Sequence, residues 1–204
     1  MIGLIMAGGG SRRTNNLEKL SVPYNRPIVL CAVDALMRSP HISNIYAAVS
    51  GSSPKVHRIL DRCDINLIET KGKGYSVDLS YALNHLSHPT IIVPADLPCV
   101  DADIISCIVR LYDKEYWTEI LITEKYAATL RLSPGITMTH DGILCRYTGV
   151  SMVDPRYRLI APTNNIIIND MRIAANLNTP RDWMLFCATY NLAEYNGLGA
   201  GRFC

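Results

Sequence analysis

Short apolar runs alternate with amphipathic stretches along most of the chain. The apolar runs that predict β-strands are Ile2–Met6, Asn44–Val49, Ile65–Glu69, Thr90–Val93, Gly149–Val153, Ile166–Asn169 and Ala175–Leu177. Apolar residues recur at helical spacing between many of them, and the predicted helices are Pro27–Met37, Ser53–Arg62, Tyr75–His85, one beginning at Asp101 or Asp103, and Pro180–Tyr190. Strands that alternate with helices predict an α/β fold with a mostly parallel sheet.

The middle of the chain, residues 115–148, has no clear period. Pro134-Gly135 and Asp141-Gly142 predict several short strands there, with a hairpin at the second pair. No repeat, linker or low-complexity tract divides the sequence, so we expect a single domain over residues 1–204. The Gly-rich stretch at 196–204 is expected to be a flexible tail.

Composition narrows the class of protein. Apolar residues make up 49% of the chain and charged residues 19%, which is enough to build a large core and excludes a disordered chain. The net charge of +2 argues against a protein that holds nucleic acid mainly by charge. The seven cysteines include no CxxC pair, which disfavours a zinc ribbon or a disulfide framework. Because no apolar run is long enough to span a membrane, we expect a cytoplasmic protein.

A Gly-rich loop directly follows the first predicted strand. Its backbone residues are Gly8, Gly9, Gly10 and Ser11, and its basic residues are Arg12, Arg13 and Lys19. Ligands bind at the carboxyl ends of parallel strands, and glycines there let backbone N–H groups approach a phosphate closely. The loop matches neither the dinucleotide fingerprint, which needs glycine at position 13, nor the Walker pattern. It therefore indicates a phosphate site of another type, with a mobile surface turn as the alternative.

An aspartate follows the most apolar predicted strand. Asp96 comes just after Thr90–Val93, which places its carboxylate at the same sheet edge as the Gly-rich loop. Mg²⁺ needs only one or two carboxylates when substrate phosphates complete its shell. Asp96 is therefore the candidate metal ligand, and a helix-capping loop is the alternative. Asp154 also follows a strand, and could approach a metal or form a turn with Pro155.

A second glycine-containing junction has the features of a base-binding site. Gly72 and Gly74 permit close backbone approach to a flat base, beside Tyr75. Asp78 could accept two N–H bonds, and guanine offers two adjacent donors where adenine does not. The same residues could also simply begin a helix.

These motifs together resemble a known enzyme family. Leu4–Arg13, followed by Leu17-Glu18-Lys19-Leu20, is similar to the nucleotidyltransferase signature that sugar-nucleotide pyrophosphorylases and molybdenum-cofactor nucleotidyltransferases share. Thr70–Leu79, together with Ile168–Met171, resembles the archaeal adenosylcobinamide-phosphate guanylyltransferases. Departures from the signature are Thr14, Asn15, Asn16 and Leu20, and the last of these replaces a usual proline.

The resemblance implies a Rossmann-like, three-layer α/β/α nucleotidyltransferase fold with a mixed sheet. It further implies transfer of GMP from GTP to a corrinoid, adenosylcobinamide phosphate, with a divalent cation such as Mg²⁺. By the family pattern, Arg13 and Lys19 hold the triphosphate, Asp96 binds the metal, and Asn178 is a second metal-ligand candidate. Asn178 or Thr179 could equally cap the last predicted helix, and both roles can hold together.

Two other functions fit parts of the pattern. One is a guanylyl- or cytidylyltransferase acting on the molybdenum cofactor, which would share the Gly-rich loop and Asp96 but not Gly72–Leu79. The other is a nucleotide-binding regulator that has lost catalysis, for which Thr14 and Leu20 leave room. The corrinoid-binding residues and the oligomeric state stay open, with a homodimer among the options.

Overall fold

The computed structural model describes residues 1–8, 27–177, 179, 181, 182 and 184. Its strands are β1 (Ile2–Met6), β2 (Asn44–Ser50), β3 (Asn66–Thr70), β4 (Thr90–Pro94), β5 (Trp117–Thr123), β6 (Thr137–His140), β7 (Ile143–Val153) and β8 (Thr163–Ile167). Its helices are α1 (Val29–Arg38), α2 (Pro54–Asp61), α3 (Tyr75–Leu83), α4 (Ala102–Val109), α5 (Glu124–Thr129) and α6 (Met171–Ala174).

The strands described form one mixed sheet in the order β3-β2-β1-β4-β7-β5-β8, with β6 paired to β7. The adjacent strands β3, β2, β1 and β4 are all parallel, and β5 is parallel to β8. β7 runs antiparallel to both β4 and β5. The mostly parallel, mixed sheet predicted from the sequence is therefore confirmed.

The connections place helices on both faces of the sheet. From β1 the chain moves outward through β2 to β3, and then returns across β1 to β4. Because such crossovers are right-handed, the return helix must lie on the face opposite to the outgoing ones. The packing agrees: one core cluster includes α1, α2 and α4, while a second joins α3 to the other side of β1 and β2. These are the two helical layers of the expected three-layer fold.

Residues 115–148, which have no clear period in the sequence, contain the main differences between the predicted and the observed elements. The Asp141-Gly142 hairpin is confirmed, with positive φ at both residues, and it joins β6 to β7. The strand predicted at Gly149–Val153 is only the second half of β7, and α5 was not predicted. The strand predicted at Ala175–Leu177 is wrong, because α6 ends just before it and Leu177 makes one backbone bond to a loop rather than a ladder.

Two further findings concern the limits of the fold. Within the described residues, no helix is both long enough and apolar enough to cross a membrane. The closing helix predicted at Pro180–Tyr190 lies largely outside those residues. The start of that segment is described, and there the backbone N–H of Asp182 donates to Thr179 Oγ1 over 3.2 Å.

Candidate active site at the carboxyl edge of the sheet

The chain reverses direction across the sheet between β1 and β4, which opens a crevice at their carboxyl ends. Gly8 follows β1 and Asp96 follows β4, so two predicted site residues lie on the two sides of this crevice. Backbone pairing continues to its rim, because the Ala95 N–H donates to the Met6 carbonyl over 3.3 Å. The edge is thus a continuation of the sheet rather than a loose loop.

Short polar side chains hold the first residue of the Gly-rich loop. Ser50, the last residue of β2, donates its hydroxyl to the Gly8 carbonyl over 2.7 Å and also bonds Ser52. A Cβ at Gly8 would lie 3.2 Å from Thr70 Oγ1, closer than an ordinary contact. Gly8 therefore needs to be a small residue for the loop to leave β1 along this path.

The loop between β3 and α3 returns to the same edge. Gly72 has φ +64° and lies against Ser50, to which a Cβ on Gly72 would come within 3.5 Å. Gly74 has φ +120° and immediately precedes α3. Since few side chains tolerate such backbone angles, both glycines are required by the conformation of the loop. The structure brings this junction next to Gly8.

Asp78 lies in the first turn of α3 and is only 5% exposed. Its Oδ1 accepts the backbone N–H of Lys73 over 3.3 Å, which ties α3 to the loop that contains Gly72 and Gly74. The carboxylate therefore has a structural partner in the ligand-free protein.

Tyr75 crosses from the start of α3 to the antiparallel strand β7. Its hydroxyl donates to the Gly149 carbonyl over 3.4 Å. Gly149 has φ +82°, and a Cβ there would lie 2.7 Å from Pro94 Cγ, so β7 and β4 are in tight contact at this point. Burial of the Tyr75 hydroxyl, with the negative charges of Glu119 and Asp96 nearby, raises its pKa above its ordinary range. Tyr75 is thus within electrostatic range of two carboxylates.

The segment before Asn178 meets the Asp96 loop. The Leu177 N–H donates to the Asp96 carbonyl over 3.0 Å, and Asn176 Nδ2 donates to the Thr148 carbonyl over 3.1 Å. No cluster of three or more His, Cys, Asp or Glu occurs in the part of the chain that is described. One carboxylate such as that of Asp96 would suffice for a Mg²⁺ ion that takes most of its other ligands from a phosphate-bearing substrate.

A hydrogen-bonded cluster fixes the next residues of this segment. Asp182 accepts the backbone N–H groups of Ser133 and Thr179 over 3.0 and 2.9 Å. Thr179 and Asp182 cap each other reciprocally, as in a capping box. Burial alone would raise the pKa of Asp182, but the hydrogen bonds from Ser133 and Thr179 outweigh it and lower the pKa. Of the two residues predicted as alternative caps, Asn178 and Thr179, the structure shows Thr179 in this role, and Asn178 lies outside the described residues.

Glu119, the third residue of β5, is a partly exposed acidic residue that the sequence did not single out. Burial raises the pKa of the Glu119 carboxyl group. The indole N–H of Trp117 partly offsets this rise, because it approaches the carboxylate, although the contact does not meet standard hydrogen-bond geometry. Its position in a region without clear periodicity left no signal beyond an acidic residue inside an apolar run.

Asp154 lies at the other end of the strands. It follows Val153, which pairs with Thr90 at the start of β4, whereas Asp96 follows the end of β4. Arg156 donates to both oxygens of the Asp154 carboxylate, and this pairing lowers the pKa of Asp154. The turn interpretation is therefore correct, and Asp154 is too far from the crevice to contact a metal there.

The structure brings several predicted site residues to one edge, namely Gly8, Gly72, Gly74, Tyr75, Asp78 and Asp96. The other predicted site residues lie outside the described residues, namely Gly9, Gly10, Ser11, Arg12, Arg13, Lys19 and Asn178.

Comparison with known proteins agrees with this arrangement. The model of the MobA-like NTP transferase domain matches residues 3–127. An adenosylcobinamide-phosphate guanylyltransferase from Methanocaldococcus jannaschii is 28% identical over 199 residues, covering 91% of this chain and 95% of that protein.

Solved structures of other nucleotidyltransferases share the fold. A CMP:2-keto-3-deoxy-manno-octonic acid synthetase complexed with CTP superposes with a TM-score of 0.67 at 10% identity, covering 94% of this chain and 98% of that one. A 4-diphosphocytidyl-2C-methyl-D-erythritol synthase from Anaerococcus prevotii superposes with a TM-score of 0.65 at 12% identity, and the match covers 93% of this chain and 97% of that one.

Proposed function

Because the chain belongs to the MobA-like NTP transferase family and is a nucleotidyltransferase, we propose that it transfers GMP from GTP to adenosylcobinamide phosphate. The products would be adenosylcobinamide-GDP and pyrophosphate. The observation that carries this choice of substrates is the near full-length similarity to the guanylyltransferase from M. jannaschii, which covers 91% of this chain. The catalytic unit would be residues 1–204 as one domain.

The chemistry asks little of a general base. The attacking group is a phosphate oxygen of the acceptor, which is already ionised at neutral pH. The reaction instead needs in-line positioning of that oxygen and stabilisation of the negative charge on the α-phosphate and the leaving pyrophosphate. A crevice at the carboxyl edge, with Gly8 on one side and Asp96 on the other, supports such a reaction.

The triphosphate side of the site would be the Gly-rich loop. Gly8 is held in place by Ser50, and from it the loop continues through Gly9, Gly10 and Ser11. Arg12, Arg13 and Lys19 would supply the positive charge that the phosphates require.

Asp96, with Asn178 as a second candidate, would hold Mg²⁺ on the other side of the crevice. The bound cation would neutralise charge on the triphosphate and on the leaving pyrophosphate. The bond from the Leu177 N–H to the Asp96 carbonyl supports this pairing, because Leu177 is the residue before Asn178.

Guanosine would bind along Gly72, Gly74 and Tyr75. Asp78 is buried and accepts the Lys73 N–H, so its contribution to base selection would come chiefly from holding the glycines in their left-handed conformation. Loss of Asp78 would then weaken GTP binding by loosening the loop as well as by removing an acceptor.

The test is pyrophosphate release by the purified full chain with Mg²⁺. GTP, ATP and CTP would each be supplied with adenosylcobinamide phosphate, with molybdenum cofactor, and with no acceptor. We expect release only with GTP and the corrinoid, and a product whose mass corresponds to adenosylcobinamide-GDP. Release with molybdenum cofactor instead would favour the alternative acceptor, and release with CTP or ATP at equal rates would contradict the choice of GTP.

A further inference from the structure

Three polar side chains form a row across three neighbouring strands. Ser151 of β7 pairs with Glu119 of β5, and Glu119 pairs with Asn165 of β8. Residues in register on adjacent strands point to the same side of a sheet, so these three share one face. We call them the polar row. Trp117 lies on the same face, because it is two residues before Glu119 on β5.

The face is the one that α3 covers further along the sheet. Trp117 packs against the core cluster that contains Leu79 and Leu83 of α3. Ser151 is buried, whereas Glu119 and Asn165 are partly exposed, so the polar row leads from the flank of α3 toward solvent. Such a row lies where apolar residues would be expected on a strand with a covered face.

Two polar atoms at the row make no hydrogen bond of standard geometry within the described residues. Trp117 Nε1, a donor, and Asn165 Oδ1, an acceptor, are buried without a hydrogen bond that meets standard geometry. Buried groups of this kind are rare, and each calls for an explanation such as a bound water or a ligand. The donor belongs to the residue two positions before Glu119 on β5, and the acceptor belongs to the register partner of Glu119 on β8.

Tyr75 connects the polar row to the reactive edge. Both Glu119 and Asp96 are close enough to act on its hydroxyl electrostatically. By strand spacing, the backbone of Glu119 lies about 13 Å back along the strands from Asp96 and about 10 Å across two strand positions. A large acceptor with its phosphate at Asp96 would reach this far.

We propose that the polar row binds the peripheral primary carboxamide groups of the corrinoid acceptor, with Glu119 as the principal specificity-determining residue. This inference rests on the proposed function. A primary carboxamide carries two N–H donors for Glu119 and Asn165 Oδ1, and one carbonyl acceptor for Trp117 Nε1.

Other ligand classes fit the row less well. An anionic group would be repelled by Glu119. A hard cation would find one carboxylate with a serine and an asparagine, and no cluster of three or more titratable ligands lies in the described part of the chain. A neutral group with both donors and acceptors is the best chemical match.

The test compares Glu119→Gln and Asn165→Ala with the wild-type enzyme in steady-state kinetics. We expect either variant to raise KM for adenosylcobinamide phosphate about tenfold, which is the upper end of the loss typical of one hydrogen bond. KM for GTP and kcat should stay within about twofold of wild type, since the row does not touch the nucleotide.

Matched controls separate recognition from folding. Glu69→Gln removes a carboxylate on β3, at the far edge of the sheet, where it bonds His57. Asn164→Ala changes the neighbouring residue on β8, which faces the other side of the sheet. Both controls should keep the wild-type KM for the corrinoid.

A second probe tests the chemistry of the contact. In monocarboxylic acid derivatives of the corrinoid, one peripheral carboxamide is replaced by a carboxylate. The wild-type enzyme should discriminate against the derivative altered at the contacted position, and Glu119→Gln should reduce that discrimination because it removes the repulsion.

The possible outcomes distinguish a failure of the carboxamide-binding inference from a failure of the proposed function. If the wild-type enzyme uses the corrinoid and both row variants keep its KM, this inference is overturned and the proposed function stands. If the wild-type enzyme does not transfer GMP to the corrinoid, the proposed function fails and this inference fails with it. A rise in both KM values to the same extent would indicate a structural role for the row and would also overturn the inference.

Discussion

Several residues around the crevice act on the backbone rather than on a ligand. Ser50 holds the Gly8 carbonyl, Thr70 donates to the Val49 carbonyl, and Asp78 accepts the Lys73 N–H. Hydrogen bonds from short, buried side chains cost little conformational entropy and leave backbone N–H groups free of side-chain bulk. Preorganisation of this kind is what a phosphoryl-transfer site needs, because the reaction depends on positioning and charge.

Glu119 is expected to reduce the stability of the folded protein at neutral pH. Its pKa is raised in the folded state, so its contribution to stability is fully present below the unfolded pKa and is lost as the pH rises through the folded pKa. Glu119→Gln should therefore be at least as stable as wild type at pH 7.5, with Tm rising roughly 2–4 °C per kcal/mol gained. Thermal unfolding followed by circular dichroism measures this.

The gain in Tm of Glu119→Gln over wild type should shrink as the pH is lowered toward 4, because the wild-type carboxyl group becomes protonated. Wild type and variant should then have similar Tm values. A variant that is several degrees less stable than wild type at pH 7.5 would show that the charged carboxylate stabilises the fold, contrary to this account.

The sequence made some of these residues predictable and others not. Asp96 and Gly8 follow buried strands directly, so the rule for carboxyl ends of parallel strands was enough to place them together. Glu119 depends on Ser151 and Asn165, which are distant in sequence and come together only through strand order. That order includes an antiparallel strand, which an alternating pattern does not reveal.

At the level of elements, the contact between β7 and β4 shapes the edge. Gly149→Ala should destabilise the protein by roughly 2–4 kcal/mol, because φ is +82° and the new Cβ would lie 2.7 Å from Pro94 Cγ. Gly51→Ala is the control, since a Cβ there meets nothing within 4 Å. Urea unfolding of both variants measures the difference, and equal stabilities would contradict the tight packing described.

A second element-level prediction concerns the segment that follows α6. The pKa of Asp182 is lowered in the folded state, so its stabilising contribution is present above the unfolded pKa and is lost as the pH falls through the folded pKa. Asp182→Asn should cost about 1.5–3 kcal/mol at pH 7, because charge-assisted bonds to Ser133 and Thr179 are weakened.

Urea unfolding at pH 7 and at pH 3 tests the Asp182 prediction. The difference in the free energy of unfolding between wild type and Asp182→Asn should narrow at pH 3, because the wild-type carboxyl group begins to lose its charge there. A difference that is independent of pH would mean that the charge of Asp182 plays no part.

The elements that the sequence predicted well share one property. The strands from β1 to β4 are short, apolar and bounded by breakers, and their observed ends differ from the predicted ends by no more than one residue. α5 has only six residues and a polar composition, so its helical period is too short to detect. In the first half of β7, two exposed residues are followed by two buried residues and one exposed residue, and Arg146 interrupts the apolar run.

At the scale of the whole molecule, the order of strands determines where chemistry can occur. Seven of the eight described strands share one direction and only β7 is reversed, so the carboxyl ends of β1 to β4 meet at a single edge, and the reversal between β1 and β4 opens that edge. The antiparallel β7 then joins this parallel half to β5 and β8, which contribute Glu119 and Asn165. Under the proposed function, one edge would serve the nucleotide and the adjoining face would serve the acceptor.

The most direct test of this account compares GMP transfer by wild type, Asp96→Asn and Asp61→Asn with Mg²⁺, GTP and adenosylcobinamide phosphate. Asp61 is the exposed last residue of α2 and serves as the matched control. We expect Asp96→Asn to lower kcat by at least about 100-fold, the loss typical of one group that stabilises transition-state charge, while the variant stays folded. Asp61→Asn should match wild type. Near wild-type transfer by a folded Asp96→Asn variant would contradict the placement of the reaction at this edge.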